Sequence, residues 1–142
     1  MNILFFMTPK SEVDVIYEDD TFGQALEHIS KHHYTTIPVI NEMTGKYLGT
    51  LTQGDLLRAL ARNDSMPLRM FRDKPVMNIK RKRDYRAVRA SADIEELFHS
   101  AMEQNFVPVV DDMDTFIGIV TRKSIMQFMM REHEGAASGR KN

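Results

Sequence analysis

Asp55 is the side chain of this sequence best placed to hold a ligand. It stands four residues beyond Gly49-Thr50-Leu51, an apolar strand end, and opens a helically spaced stretch from Leu56 to Arg62. A carboxylate there can accept both hydroxyls of a vicinal diol such as that of a ribose. A helix N-terminus stabilises its charge and could also face a phosphate. Thr52, three residues earlier, can offer its hydroxyl to the same ligand. The plainer alternative is that Asp55 caps the helix and Thr52 ends the strand. At the matching place later in the chain stand Arg122, Lys123 and Ser124. The two cations suit phosphate, or a solvated helix start, but a serine cannot clamp a diol as a carboxylate does.

Three further features have weaker chemistry. Lys80-Arg81-Lys82-Arg83 is the concentrated positive run. It could serve the phosphates of a ligand, a nucleic acid or an acidic partner, or form a solvated turn. His28 and His32 have a spacing that can bind a metal. No carboxylate-bearing zinc motif surrounds them, so they read as surface histidines and no metal is expected. There is no cysteine, nucleophile elbow, Gly-x-x-x-x-Gly-Lys loop or carboxylate pair at one site, so the chain reads as a non-enzyme.

The elements that must position these residues occur twice. Tyr34-Thr35-Thr36-Ile37-Pro38-Val39-Ile40-Asn41 returns as Phe106-Val107-Pro108-Val109-Val110-Asp111, with Ile37 and Val107 70 positions apart. Gly49-Thr50-Leu51-Thr52-Gln53-Gly54-Asp55 returns from Gly118 to Ser124, 69 positions later, so the second hairpin is one residue shorter. Two copies predict half-domains that bury their apolar faces on each other about a pseudo-twofold axis, with related clefts where they meet.

In each copy the order is strand, helix, strand, strand, helix. Copy one has Val13 to Tyr17, a helix over about 21–32 carrying Phe22, Ala25, Leu26 and Ile29, Tyr34 to Asn41, a Met43-Thr44-Gly45 turn, Lys46 to Thr52, and Leu56 to Arg62. Pro38 predicts an edge strand or a site needing no ladder donor. Copy two has Tyr85 to Ala90, a helix capped by Ser91 or Asp93, Val107 to Val110, Phe116 to Thr121 and a helix over about 123–132. The boundaries read as 7–62, a connector at 63–78 broken by Pro67 and Pro75, 79–131, and a disordered tail at 132–142.

The 142 residues suit one domain, and 42% hydrophobic with 27% charged residues reads as soluble and globular. A net charge of −1 gives no overall pull toward nucleic acid or membrane. Absence of cysteine fits a reducing cytoplasm. Met1 to Met7 is about a third as long as a spanning helix and lacks a signal peptide's basic start. It reads as a segment packing onto the domain.

The repeated unit, with its hydrophobic-Pro-Val strand and Gly-x-hydrophobic-Thr-x-x-Asp segment, resembles the CBS domain. Two in tandem resemble a CBS pair, or Bateman module, over roughly residues 7–131. Tyr34-Thr35-Thr36-Ile37-Pro38 with Gly118-Ile119-Val120-Thr121-Arg122 is similar to the small stand-alone CBS-pair proteins of Gram-positive bacteria, some of which bind AMP-type nucleotides and one group cyclic di-AMP. The resemblance implies an α/β (α+β) fold of two pseudo-twofold-related βαββα repeats. It also implies a non-catalytic sensor of an adenine nucleotide (AMP, ADP or ATP) that signals to an unknown effector protein. Cyclic di-AMP or a ligandless dimeric scaffold are the alternatives, and no cofactor is required.

On that resemblance Val13 and Ile37 would supply faces for a purine, and the backbone beside Pro38 would read its edge. Tyr34, Thr35 and Thr36 line the same strand, although strand propensity alone would also place such residues there. Thr52 and Asp55 would take the ribose, with Lys80, Thr121, Arg122, Lys123 and Ser124 completing the set. Because Ser124 replaces the carboxylate, copy two gives either a phosphate-reaching Arg122 or Lys123 in a single site, or a degenerate half. Homodimerisation is expected through Leu56, Leu60, Ile125 and Met129, with Met126, Met130 and Phe128 alongside. Membrane and nucleic-acid partners are not expected.

Overall fold

The computed structural model describes residues 2–140, with side chains through His133. A 3-10 turn at Ile3–Phe6 leads into β1 (Met7–Pro9). The first half follows: β2 (Ile16–Tyr17), α1 (Phe22–His32), β3 (Thr36–Ile40), β4 (Tyr47–Thr52) and α2 (Gln53–Arg62). Thr21 and Gln24 close a reciprocal capping box at the start of α1, and Phe22, Ala25 and Ile29 turn inward. His33 ends the helix in a left-handed conformation, φ 57°, which delivers Tyr34 to the strand.

A connector carrying α3 (Leu68–Phe71) and a 3-10 turn at Val76–Asn78 is docked rather than free. Lys74 and Arg72 carbonyls accept from the N–H groups of Phe22 and Gly23, which α1 cannot satisfy itself. Val76 is fully buried in the first core with Ile16, Phe22, Ile37 and Leu56. The second half repeats the order: β5 (Val88–Arg89), α4 (Ile94–Glu103), β6 (Phe106–Val110), β7 (Phe116–Thr121) and α5 (Arg122–Arg140). Asp93, not Ser91, caps α4 by accepting from Glu96 N–H at 2.8 Å.

The strands form two sheets, β2-β3-β4 and β1-β7-β6-β5, so the repeated Pro-Val strands lie in separate sheets, one per half. The hairpin tips meet reciprocally: Tyr47 N–H donates to Asp114 carbonyl at 3.2 Å, and Phe116 N–H to Gly45 carbonyl at 2.9 Å. This pair of bonds marks the pseudo-twofold relation.

The entry segments are exchanged between halves. β1 opens the first repeat but pairs with β7 of the second, Met7 opposite Val120, and Ile3 and Phe6 are buried in the second core. Residues 81–85 open the second repeat but cover β4 of the first. Asp84 Oδ1 accepts from Thr50 N–H at 3.0 Å, Tyr85 N–H donates to Thr50 Oγ1 at 3.0 Å, and Tyr47 hydroxyl donates to Tyr85 carbonyl at 2.5 Å. Glycines permit both approaches. A Cβ on Gly118 would lie 2.3 Å from Thr8 carbonyl oxygen, and one on Gly49 2.2 Å from Asp84 Oδ1.

The structure refines four expectations. Pro38 is in the central strand of its sheet, and of its two expected settings it takes the one needing no ladder donor: β2 pairs with Val39 and Ile40, so no ladder reaches Pro38 on that side. Residues 7–9, at the start of the first repeat, pair with the second half's sheet. Leu56 is buried in its own half and faces no partner, whereas Leu57, Met126, Met129 and Met130 are exposed. Where the sequence predicts a disordered tail, the backbone from 132 to 140 continues α5; residues 141 and 142 lie outside the described ones.

Candidate functional site

Where the halves meet, a cavity of about 310 Å³ opens between β3 and the end of β7. The first half contributes Val13, Asp14, Tyr34, Thr36, Ile37 and Pro38; the second contributes Asn105, Phe106, Ile119 and Thr121. The short β2 explains the opening, because it leaves the Pro38 side of β3 uncovered. Apolar walls and a few hydroxyls make this a surface for a flat, partly apolar group. Tyr34 donates its hydroxyl to Asp14 Oδ2. That bond and the Asp14 charge, with some desolvation, push the phenol up to about 12. Glu12 adds a second carboxylate at the rim, so this end favours hydroxyl and amino donors over phosphate.

Asp55 lies elsewhere, and its carboxylate is engaged. It is fully buried; Oδ2 accepts from Thr52 N–H at 3.0 Å, and Oδ1 accepts from Lys82 N–H at 3.0 Å and Arg58 Nη2 at 2.6 Å. Thr52 Oγ1 returns a bond to Asp55 N–H at 2.9 Å, completing a capping box on α2. Thr52 itself lines a second opening of about 500 Å³ with Arg58, Lys82, Arg83 and Tyr85. Beside it, Lys80 and Arg81 join Arg58, Arg62 and Lys82 around a wholly basic cavity of about 340 Å³.

The end of β7 copies this arrangement. Ser124 Oγ accepts from Thr121 N–H at 3.2 Å, and Thr121 Oγ1 accepts from Ser124 N–H at 3.0 Å. Ser124 therefore stands in the place of Asp55 as a helix cap, beside the cavity that Thr121 lines. Arg122, considered for phosphate, is turned onto the end of α4. Its Nε donates to Ala101 carbonyl at 2.7 Å and Nη2 to Met102 carbonyl at 3.1 Å, where a cation answers the helix dipole. Lys123 is exposed at the start of α5, and Thr35 is exposed with its carbonyl accepting from Gln53 N–H at 3.1 Å.

The positive run is largely structural as well. Arg81 makes a two-pronged bond to Asp84, each contact 3.1 Å, and Arg83 Nη2 donates to Glu103 carbonyl at 3.2 Å. Partial burial works to raise the Asp84 carboxyl, but Arg81 and the Thr50 N–H outweigh it and hold the group below its ordinary value. Burial, with the Asp84 charge nearby, pushes the Tyr47 phenol well up.

The structure thus brings Val13, Tyr34, Thr36, Ile37, Pro38 and Thr121 together and separates them from Thr52, Asp55 and Lys80. Asp14, Asn105, Phe106 and Ile119 line the cavity without having been singled out from the sequence. The twofold relation was the available signal: this cavity takes its Pro-Val strand from the first repeat and its Thr-ended strand from the second.

No curated protein sequence matches this chain. Among solved structures, the crystal structure of a CBS domain protein from Streptococcus pneumoniae TIGR4 superposes with a TM-score of 0.76 at 28% identity, over 86% of this chain and 82% of that one. The crystal structure of CbpB in complex with c-di-AMP gives 0.83 at 20% identity, over 97% and 91%. That of CBSX2 in complex with AMP gives 0.73 at 24%, over 93% and 98%. The CBS domain family matches twice, over residues 4–62 and 76–131, in register with the two halves described above. The chain belongs to the CBS-domain family, as a tandem pair of its motifs.

Proposed function

We propose that this protein is a non-catalytic regulatory module that binds an adenine nucleotide in the cavity between its two motifs and signals to a partner protein. The observation that carries the reading is the cavity itself. It is walled by both repeats, of mononucleotide size, apolar around Ile37, Pro38 and Ile119, and edged by the hydroxyls of Thr36 and Thr121. The start of α5 adjoins Thr121, so helix N–H groups and Lys123 are near for a phosphate. CBSX2, of the same fold, was crystallised with AMP. A ligand touching both halves changes their preferred arrangement to the extent that it binds one arrangement better. Exposed Met126, Met129 and Met130 on α5 give the surface through which two copies would associate.

A panel of AMP, ADP, ATP and cyclic di-AMP in calorimetry tests this, with Thr36→Trp filling the cavity. The parent should bind a panel member and Thr36→Trp should lose it. Undiminished binding by Thr36→Trp moves the site elsewhere, and silence across the panel leaves the scaffold reading. Cyclic di-AMP is the second reading, supported by the CbpB complex and by the presence of two motifs in the chain; preference for it over AMP would select it.

A further inference from the structure

At the outer rim of the cavity the fold sets a third ligand-bearing group beside a histidine pair. His28 and His32 are one turn apart on α1, ring centroids 5.3 Å from each other, and Asp14, from the segment before β2, faces them. One donor atom from each of the three lies within 4.8 Å of the others. His28 Nε2 is buried and has no hydrogen-bond partner among the described residues; the nearest acceptor, Asp14 Oδ1, is 3.7 Å away, beyond hydrogen-bond reach. A buried imidazole nitrogen without a partner, aimed at a carboxylate oxygen, needs something between them.

We propose that Asp14, His28 and His32 form a site for a divalent transition-metal ion of the zinc class. Two imidazoles and one carboxylate are a donor set such ions accept, at about 2.0–2.2 Å from the metal. Donors of a tetrahedral site then stand roughly 3.4 Å apart; the three here already lie within 4.8 Å of one another, and His32 is exposed. The surroundings are those that orient metal ligands. Tyr34 holds Asp14 through Oδ2, leaving Oδ1 toward the histidines, and its ring stacks on His32 at 5.4 Å between centroids. Three protein ligands leave a fourth position for a water or another group, and Asp14 and Tyr34 also line the cavity.

This site does not depend on the nucleotide reading, and its test uses no nucleotide. The full chain, stripped with a chelator, is titrated with Zn²⁺ in a calorimeter and with Co²⁺ by visible absorption. The expected result is one ion per chain and the visible bands of four-coordinate cobalt. Loss of a ligand in His32→Ala or Asp14→Asn should weaken Zn²⁺ binding by more than the roughly 10- to 100-fold that losing a supporting bond does; Tyr34→Phe should fall within that range. His99→Ala, on exposed surface of α4, serves as control and should bind like the parent. His32 is exposed, so His32→Ala keeps the fold; binding unchanged in that variant, or no stoichiometric binding by the parent at millimolar Zn²⁺, overturns the proposal.

Discussion

Replacing Asp55 with alanine separates a structural carboxylate from a ligand-binding one. The side chain is fully buried and holds three donors: Thr52 N–H, Lys82 N–H and Arg58. Removing it deletes half of a capping box, worth about 1 kcal/mol. It also leaves the Lys82 N–H without its acceptor, at about 1–3 kcal/mol if that group stays dry. Arg58 is 40% exposed and regains water, so its ion pair adds little. The total is about 2–4 kcal/mol, a large part of the roughly 5–15 kcal/mol that holds a domain of this size. With a urea slope of about 2 kcal/mol per molar, the unfolding midpoint should fall by about 1–2 M. Lys82 belongs to the segment lying on β4, so hydrogen exchange at Lys82 and Tyr85 should quicken beyond the global loss. Asp55→Asn, which keeps one acceptor, should fall between parent and alanine variant. An Asp55→Ala midpoint within about 0.3 M of the parent would mean that the carboxylate carries none of this load, and a ligand role would regain weight.

Asp84, held below its ordinary value of 3.8, adds stability that is fully present above that pH and is lost as pH falls through its lower folded value. The urea midpoint of Asp84→Asn should therefore lie below the parent's at neutral pH and converge on it below about pH 3.8; parallel curves would refute the assignment. Gly118→Ala drives a Cβ against Thr8 carbonyl oxygen and should destabilise by about 1–3 kcal/mol or more, with residues 3–9 becoming the first site of proteolysis; unchanged cleavage would show that β1 does not dock there. Met126→Lys with Met129→Lys places two charges on the exposed apolar face of α5, and light scattering should report a monomer where the parent is a dimer; a parent that is monomeric at high micromolar concentration removes the dimer reading.

Much of the fold was legible because the repeat is local. Helical spacing at Phe22, Ala25 and Ile29, the Pro-Val strands and the Gly45 turn are each decided within a few residues, and the structure follows them. The site was less legible because it is assembled across the axis. Ile37 and Pro38 meet Thr121 rather than Thr52, a pairing that depends on how the halves dock and not on sequence distance. Asp55 illustrates a different limit. Its type and position fit a ribose clamp and a helix cap equally well, and its present use is decided by Lys82, 27 residues away. Asp14 was silent in the sequence because it lacks any fixed spacing to His28 and His32; only the turn before β2 brings it there.

The exchanged entry strand has a consequence for synthesis. Met7 emerges from the ribosome 113 residues ahead of its partner Val120. At about 5–20 residues per second, the interval is roughly 10 s. Throughout it Ile3 and Phe6, destined for the second core, have nowhere to go, while the β2-β3-β4 sheet already has all of its strands. Docking of β1 therefore brings an early-made stretch of polypeptide back onto a late-made sheet. Cutting the chain in the connector would not yield two equal pieces: the C-terminal fragment would lack an edge strand and two core side chains, and a peptide spanning residues 2–12 should restore them in trans.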